Sequence, residues 1–218
     1  MGATASASLD RFRPGKSTLL YGALLVNGEL ALVLLYFALT SSVPTDPLLL
    51  AYPFVWINAA LWGVSRVDLP SASRRQYAVA LAVAVAYFLL LGGLGGLYML
   101  HGHGLGSRIA WLSPGWGPVL VYSGAELTVS LFPYKVVGYG ALAYLVAVTI
   151  LDAARTGVAG LLGLLSCVSC TWPVAATVLT GAFGSASAVA TAAQNEPYGL
   201  STVVFVSSVL LLVWRPTR

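Results

Sequence analysis

Six stretches of the chain are each long and apolar enough to cross a bilayer, which leaves little besides a membrane-spanning helical bundle for it to fold into. Crossing about 30 Å of hydrocarbon takes about 20 mostly apolar residues in a helix, because lipid offers no partner to an unpaired peptide group. The predicted spans run from Ser17 to Thr40, Pro47 to Val64, Gln76 to Leu100, Val136 to Ala154, Gly157 to about Gly184, and Gly199 to Trp214. With 58% hydrophobic and 8% charged residues, the polar side chains are too few to coat a soluble globule of 218 residues. The expected architecture is an all-α polytopic bundle of six transmembrane helices. Residues 1–16 would form a cytoplasmic tail, 17–218 a single transmembrane domain, and 101–134 a loop on the outer side. The first apolar run exceeds twenty residues and lacks a small-residue cleavage site, so it is expected to remain as a helix and not to leave as a signal peptide.

A seventh span is possible at Pro118 to Leu131, where hydropathy alone would place one. There, however, Val119, Val121, Ala125, Leu127, Val129 and Leu131 alternate with Tyr122, Glu126, Thr128 and Ser130, and a period of two marks strand. Ser123-Gly124 in the middle is a turn signal, so the segment is predicted to be a short β-hairpin within the outer loop. Charge placement supports six spans. With a cytoplasmic N-terminus, Arg11, Arg13, Lys16, Arg66, Arg74, Arg75, Arg155, Arg215 and Arg218 fall inside and only Arg108 and Lys135 outside. A seventh span would bring Lys135 inside and send Arg155, Arg215 and Arg218 out, which fits the positive-inside rule less well. Both termini are therefore expected in the cytoplasm of a cell-membrane protein.

The net charge of +4 is spread over segment ends in ones to threes, which suits orientation in the bilayer and headgroup contact and not nucleic acid. Gly15-Lys16-Ser17 ends like a phosphate-binding loop, yet Asp10 stands where the first glycine belongs and a membrane helix follows, so no nucleotide is expected.

Chemistry concentrates in a few residues. Cys167 and Cys170, the chain's only cysteines, share one helix face three residues apart, and Pro173 would kink that helix and free the carbonyl of Ser169. Two sulfurs beside a free carbonyl suit a soft metal, copper or zinc, or thiol exchange. The same cysteines, flanked by Ser166, Ser169 and Thr171, also suit close helix packing. His101 and His103 alternate on a glycine-rich run after the third span and add two candidate ligands. Cys167 would lie about 15 Å and Cys170 about 20 Å into the membrane from the cytoplasmic side, in its middle to outer part and toward the histidines' face. Asn27 and Glu29 interrupt the first span, with Asn58 of the second as a possible partner. An ionisable group at that depth suggests proton relay, an ion site, partner contact, or a protonated group inside the bundle. Trp111 and Trp116 are candidates for anchoring the outer loop at headgroup level.

The run Ser166-Cys167-Val168-Ser169-Cys170-Thr171-Trp172-Pro173, with Phe132 to Tyr139 and Tyr198 to Thr202, resembles a group of uncharacterised haloarchaeal multi-pass membrane proteins carrying an SCVSCTWP motif. The resemblance implies an archaeal cell membrane and transfers no activity. Vitamin K epoxide reductase-like proteins share a membrane CxxC but need a second cysteine pair, and thiol-electron transporters of the cytochrome c biogenesis type need cysteines on two helices. Two readings follow: a soft-metal or thiol accessory protein, with another membrane protein or a respiratory complex as partner, or a structural or small-solute transport component.

Overall fold

The computed structural model describes residues 16–40, 47–100, 104, 106–155 and 197–213. Among them are five helices: α1 Lys16–Leu39, α2 Pro47–Ser65, α3 Arg74–Leu94, α4 Pro133–Arg155 and α5 Pro197–Val213. Four strands, β1 Tyr98–Met99, β2 Gly106–Ala110, β3 Val119–Ser123 and β4 Thr128–Leu131, form one antiparallel sheet in the order β1-β4-β3-β2. Helices α1 to α4 each contain a stretch long and apolar enough to cross a membrane, and α5 is a shorter apolar helix. This is a largely helical membrane protein. The predicted fifth span, with Cys167, Cys170 and Pro173, lies outside the described residues, as do His101 and His103.

The chain falls into two units, Met1–Thr45 and Asp46–Arg218. In the first, α1 carries apolar residues on every side of its circumference, interrupted by Asn27 and Glu29. The second is built on α4, which packs against α2, α3 and α5. Leu142, Leu145, Val148 and Leu151 recur at helical spacing along α4 and are fully buried. Helix α3 starts with a capping box: Ser73 Oγ accepts from the Gln76 amide at 3.3 Å, and Gln76 Oε1 accepts from the Ser73 amide at 2.8 Å.

Where α3 stops corrects the prediction. It ends at Leu94 and not at Leu100. Gly96 takes a left-handed conformation, φ +73°, while its amide bonds to Gly93 O at 3.3 Å and the Leu97 amide to Gly92 O at 2.8 Å. That is a Schellman termination, which spends the last carbonyls of the helix on a reversal of the chain. Tyr98 and Met99, read from hydropathy as helix, leave the turn as β1.

The hairpin forms with its turn where Ser123-Gly124 predicts it. Ser123 pairs with Thr128, and the Gly124 amide closes the loop on Leu127 O at 2.8 Å. Two features differ. The hairpin is the middle of a larger sheet, with β1 on one side and β2 on the other, so much of the expected loop at 101–134 is strand. The faces also divide differently from the simple alternation. A four-residue connection pairs odd positions with even ones, so Val119 and Val121 fall on one face and Val129 and Leu131 on the other.

Candidate functional site

The sheet sits where α2, α4 and α5 begin and α3 ends. At that end the rings of seven aromatic residues meet. Trp56 of α2 is buried, stacked on Phe205 of α5 with centroids 4.0 Å apart and planes 4° apart. Tyr134 and Tyr139 of α4 approach the same indole edge-on at 5.5 and 5.6 Å. Such pairs align the positive ring edge with the negative ring face. Trp116, from the β2–β3 connection, meets Tyr134 at 5.1 Å and Tyr198 at 5.0 Å, and Phe132 adjoins Tyr134 at 6.3 Å. Gly138 makes room for the stack, since a Cβ there would stand 2.6 Å from Trp56 Cε3 and 3.2 Å from the Phe205 ring.

Three side-chain donors here tie one segment to another. Trp56 Nε1 donates to Thr202 Oγ1 at 3.0 Å, and that hydroxyl donates onward to Tyr198 O at 2.8 Å. Pro53 has no amide hydrogen to offer Leu49 O four residues back. Trp116 Nε1 donates to that carbonyl at 2.6 Å, and Gly115 lies against the Pro53 ring. Lys135 Nζ donates to Gly95 O at 2.8 Å, placing a cation on the C-terminal cap of α3, where the helix dipole favours it. The same ammonium lies 5.0 Å from the Phe132 ring centroid. Among the described residues no buried side-chain nitrogen or oxygen lacks a partner. Replacing Lys135 by methionine removes the charge and leaves Gly95 O without that donor; thermal unfolding in nanodiscs should show a loss of about 1.5–3 kcal/mol.

Of the candidate residues from the sequence, His101, His103, Cys167 and Cys170 lie outside the described residues, and the others are spread over separate elements. Asn27 and Glu29 lie in α1, and Asn27 Nδ2 donates to Ala23 O of its own helix at 2.8 Å. Asn58 lies in α2, in the other unit of the chain. Trp111 is 80% exposed, whereas the Trp116 ring packs against Tyr134 and Tyr198 in the cluster. Among the described residues no three His, Cys, Asp or Glu side chains converge as a metal site would require. The aromatic cluster itself went unread in the sequence, since its members are spread from Trp56 to Phe205. The one available signal was Pro53, which announces a free carbonyl four residues earlier that some donor must reach.

A family model matches the chain over residues 1–218, its whole length. The chain belongs to the DUF7546 family. DUF7546 is described as a family of unknown function, so membership carries no reaction and no ligand with it. No curated protein and no solved structure matches the chain. Within this DUF7546 member, the aromatic joint and its Lys135 cap are the features on which a functional reading can rest.

Proposed function

We propose that the chain is a non-enzymatic structural component of a larger assembly in the cell membrane, built as a six-span body with both termini in the cytoplasm. The observation that carries this reading is the use made of the polar groups at the sheet end. Trp56, Trp116, Lys135 and Thr202 each bond one element to another, which makes a joint and not an open binding site. Helix direction supports the topology. Helices α2 and α4 and the short α5 start at the sheet and α3 ends there, so a span at 157–184 would return the chain from the end of α4 to the start of α5. The end away from the sheet carries Arg66, Arg74, Arg75 and Arg155, as the positive-inside rule asks of a cytoplasmic face. The resemblance to haloarchaeal proteins makes an archaeal membrane the setting.

Extraction of native membranes into polymer nanodiscs tests the assignment. A particle containing this chain with a second, stoichiometric polypeptide is expected, and a lone monomer would overturn it. A label at position 124 should be reached from outside intact cells; access only from the cytoplasm would refute the topology.

A second reading is favoured by Cys167 and Cys170 at one-turn spacing beside Pro173. In it the chain binds copper or zinc, or exchanges thiols, with His101 and His103 as further ligands, as an accessory to a respiratory complex. Metal stoichiometric with the chain, lost in Cys167→Ser with Cys170→Ser, would favour this reading over the first. Flux into proteoliposomes lost in Glu29→Gln would favour transport instead.

A further inference from the structure

The sheet has two unlike faces. In an antiparallel pair, directly opposed residues project to the same side. The register opposes Ile109, Leu120 and Leu131 in one row, and Ser107, Tyr122, Val129 and Tyr98 in the next, so all of these share a face. Arg108, the only charged residue in the four strands, falls on the reverse side, opposed to Val121 and Ser130. The reverse side also carries Val119, which is buried. The uncharged face is open over β2, β3 and the end of β4, where Ile109 is 58%, Leu120 48% and Leu131 38% exposed, with Tyr122 and nearby Trp111 exposed as well; on the reverse side Arg108 and Met99 are exposed.

What covers this face is indicated by where it leads. Tyr98, at the β1 end of the face, lies along the last turns of α3: its hydroxyl donates to Leu89 O at 2.6 Å, and its ring rests against Gly92 and Gly93. Leu89, Leu90 and Leu94 on that helix are exposed, and in a spanning helix such side chains meet lipid. The apolar face of the sheet is thus continuous with the lipid-facing flank of α3. Its depth is bounded from the other direction. β2 is an edge strand paired only with β3, and a sheet edge cannot enter hydrocarbon without leaving peptide groups unpaired. The headgroup layer satisfies both conditions, since it offers water to the edge and acyl chains to the leucines, and it is where Tyr and Trp concentrate.

We infer that the sheet is an interfacial lipid-binding element, lying with the Ile109, Leu120 and Leu131 face against the lipid leaflet that borders the end of α3. Its ligand is the bilayer surface, recognised through apolar and aromatic contact and not through charge.

Nitroxide labels on Ile109→Cys, Leu120→Cys, Leu131→Cys and Arg108→Cys, each in the Cys167→Ser, Cys170→Ser background and reconstituted into phospholipid vesicles, test the inference. Labels at 109, 120 and 131 should collide more often with oxygen, which partitions into lipid, than with a water-soluble nickel chelate. The label at 108 should show the reverse. Nickel access at 109, 120 and 131 would mean a face in water, and protection from both reagents a face covered by protein. Either result overturns the inference while leaving the multi-pass topology intact. Should the background variant fail to fold, unlabelled protein in vesicles of lipid brominated near the headgroup gives a second reading. The emission lost on bromination should be smaller in Trp111→Phe than in the parent, and an equal loss would overturn the inference.

Discussion

Trp56→Ala is expected to lower stability by about 3 kcal/mol. The figure is set at the lower end for a buried tryptophan because lipid already solvates apolar side chains, so less is lost by transfer and more by packing. What disappears is the 4.0 Å stack on Phe205, the edges of Tyr134 and Tyr139, and the hydrogen bond to Thr202. Those contacts join α2 to α4 and to α5, so all three helices loosen together. Trp56→Phe keeps most of the ring contact and gives up the hydrogen bond, at about 1 kcal/mol. Thermal unfolding in nanodiscs reads both. Equal melting of Trp56→Ala and the parent would show that the helices are held by something other than this cluster.

Gly115→Ala should cost about 2–5 kcal/mol, from two independent causes. Gly115 holds φ at +85°, where an L side chain strains the backbone by about 1–2 kcal/mol. The added methyl would also stand 2.6 Å from Pro53 Cβ, a ring atom inside a helix with little room to yield, and overpacking of that kind costs about 1–3 kcal/mol. The next residue is Trp116, so a displaced Gly115 should also break the indole bond to Leu49 O. Loss should therefore appear as earlier melting together with a red shift in tryptophan emission, as Trp116 leaves the cluster. A variant with parental melting and emission would show that this connection is free to rearrange.

Much of the fold was legible because the bilayer imposes long-range order on local signals. Apolar runs marked out all five described helices, and alternation with Ser123-Gly124 marked the hairpin. The misses have physical reasons too. Hydropathy carried the third span through Gly92 to Gly96 because glycine is neutral on such a scale, whereas the chain reverses there on the left-handed Gly96. Strand β2 carries Gly106, Ser107 and Arg108 and shows no run long enough to register; pairing with β3 makes it a strand. The alternation did not say which residues of the two strands share a face, because parity across the turn depends on the connection length. Lys135 counted in the sequence only as a charge on the outer side, and nothing local ties it to Gly95, forty residues earlier. The aromatic joint was the least legible, being assembled from four separate segments. Asn27, Glu29 and Asn58 were found as polar interruptions, but their presence in a span did not say what each one bonds.

The Trp56–Thr202 bond spans 146 positions of the chain, and that separation sets an order on biogenesis. When α2 leaves the ribosome, its indole has neither Phe205 to stack on nor Thr202 to accept its hydrogen bond, because α5 is made long after α2. Tyr134 and Tyr139 arrive earlier and can shelter the ring from the side. The joint closes only when the C-terminal helix has been inserted, so a nascent chain interrupted before Pro197 leaves Trp56 without its stacking partner and its acceptor. The packed state at this joint therefore cannot precede the making of α5, and a copy that stops short of that helix leaves an indole in the membrane with neither contact.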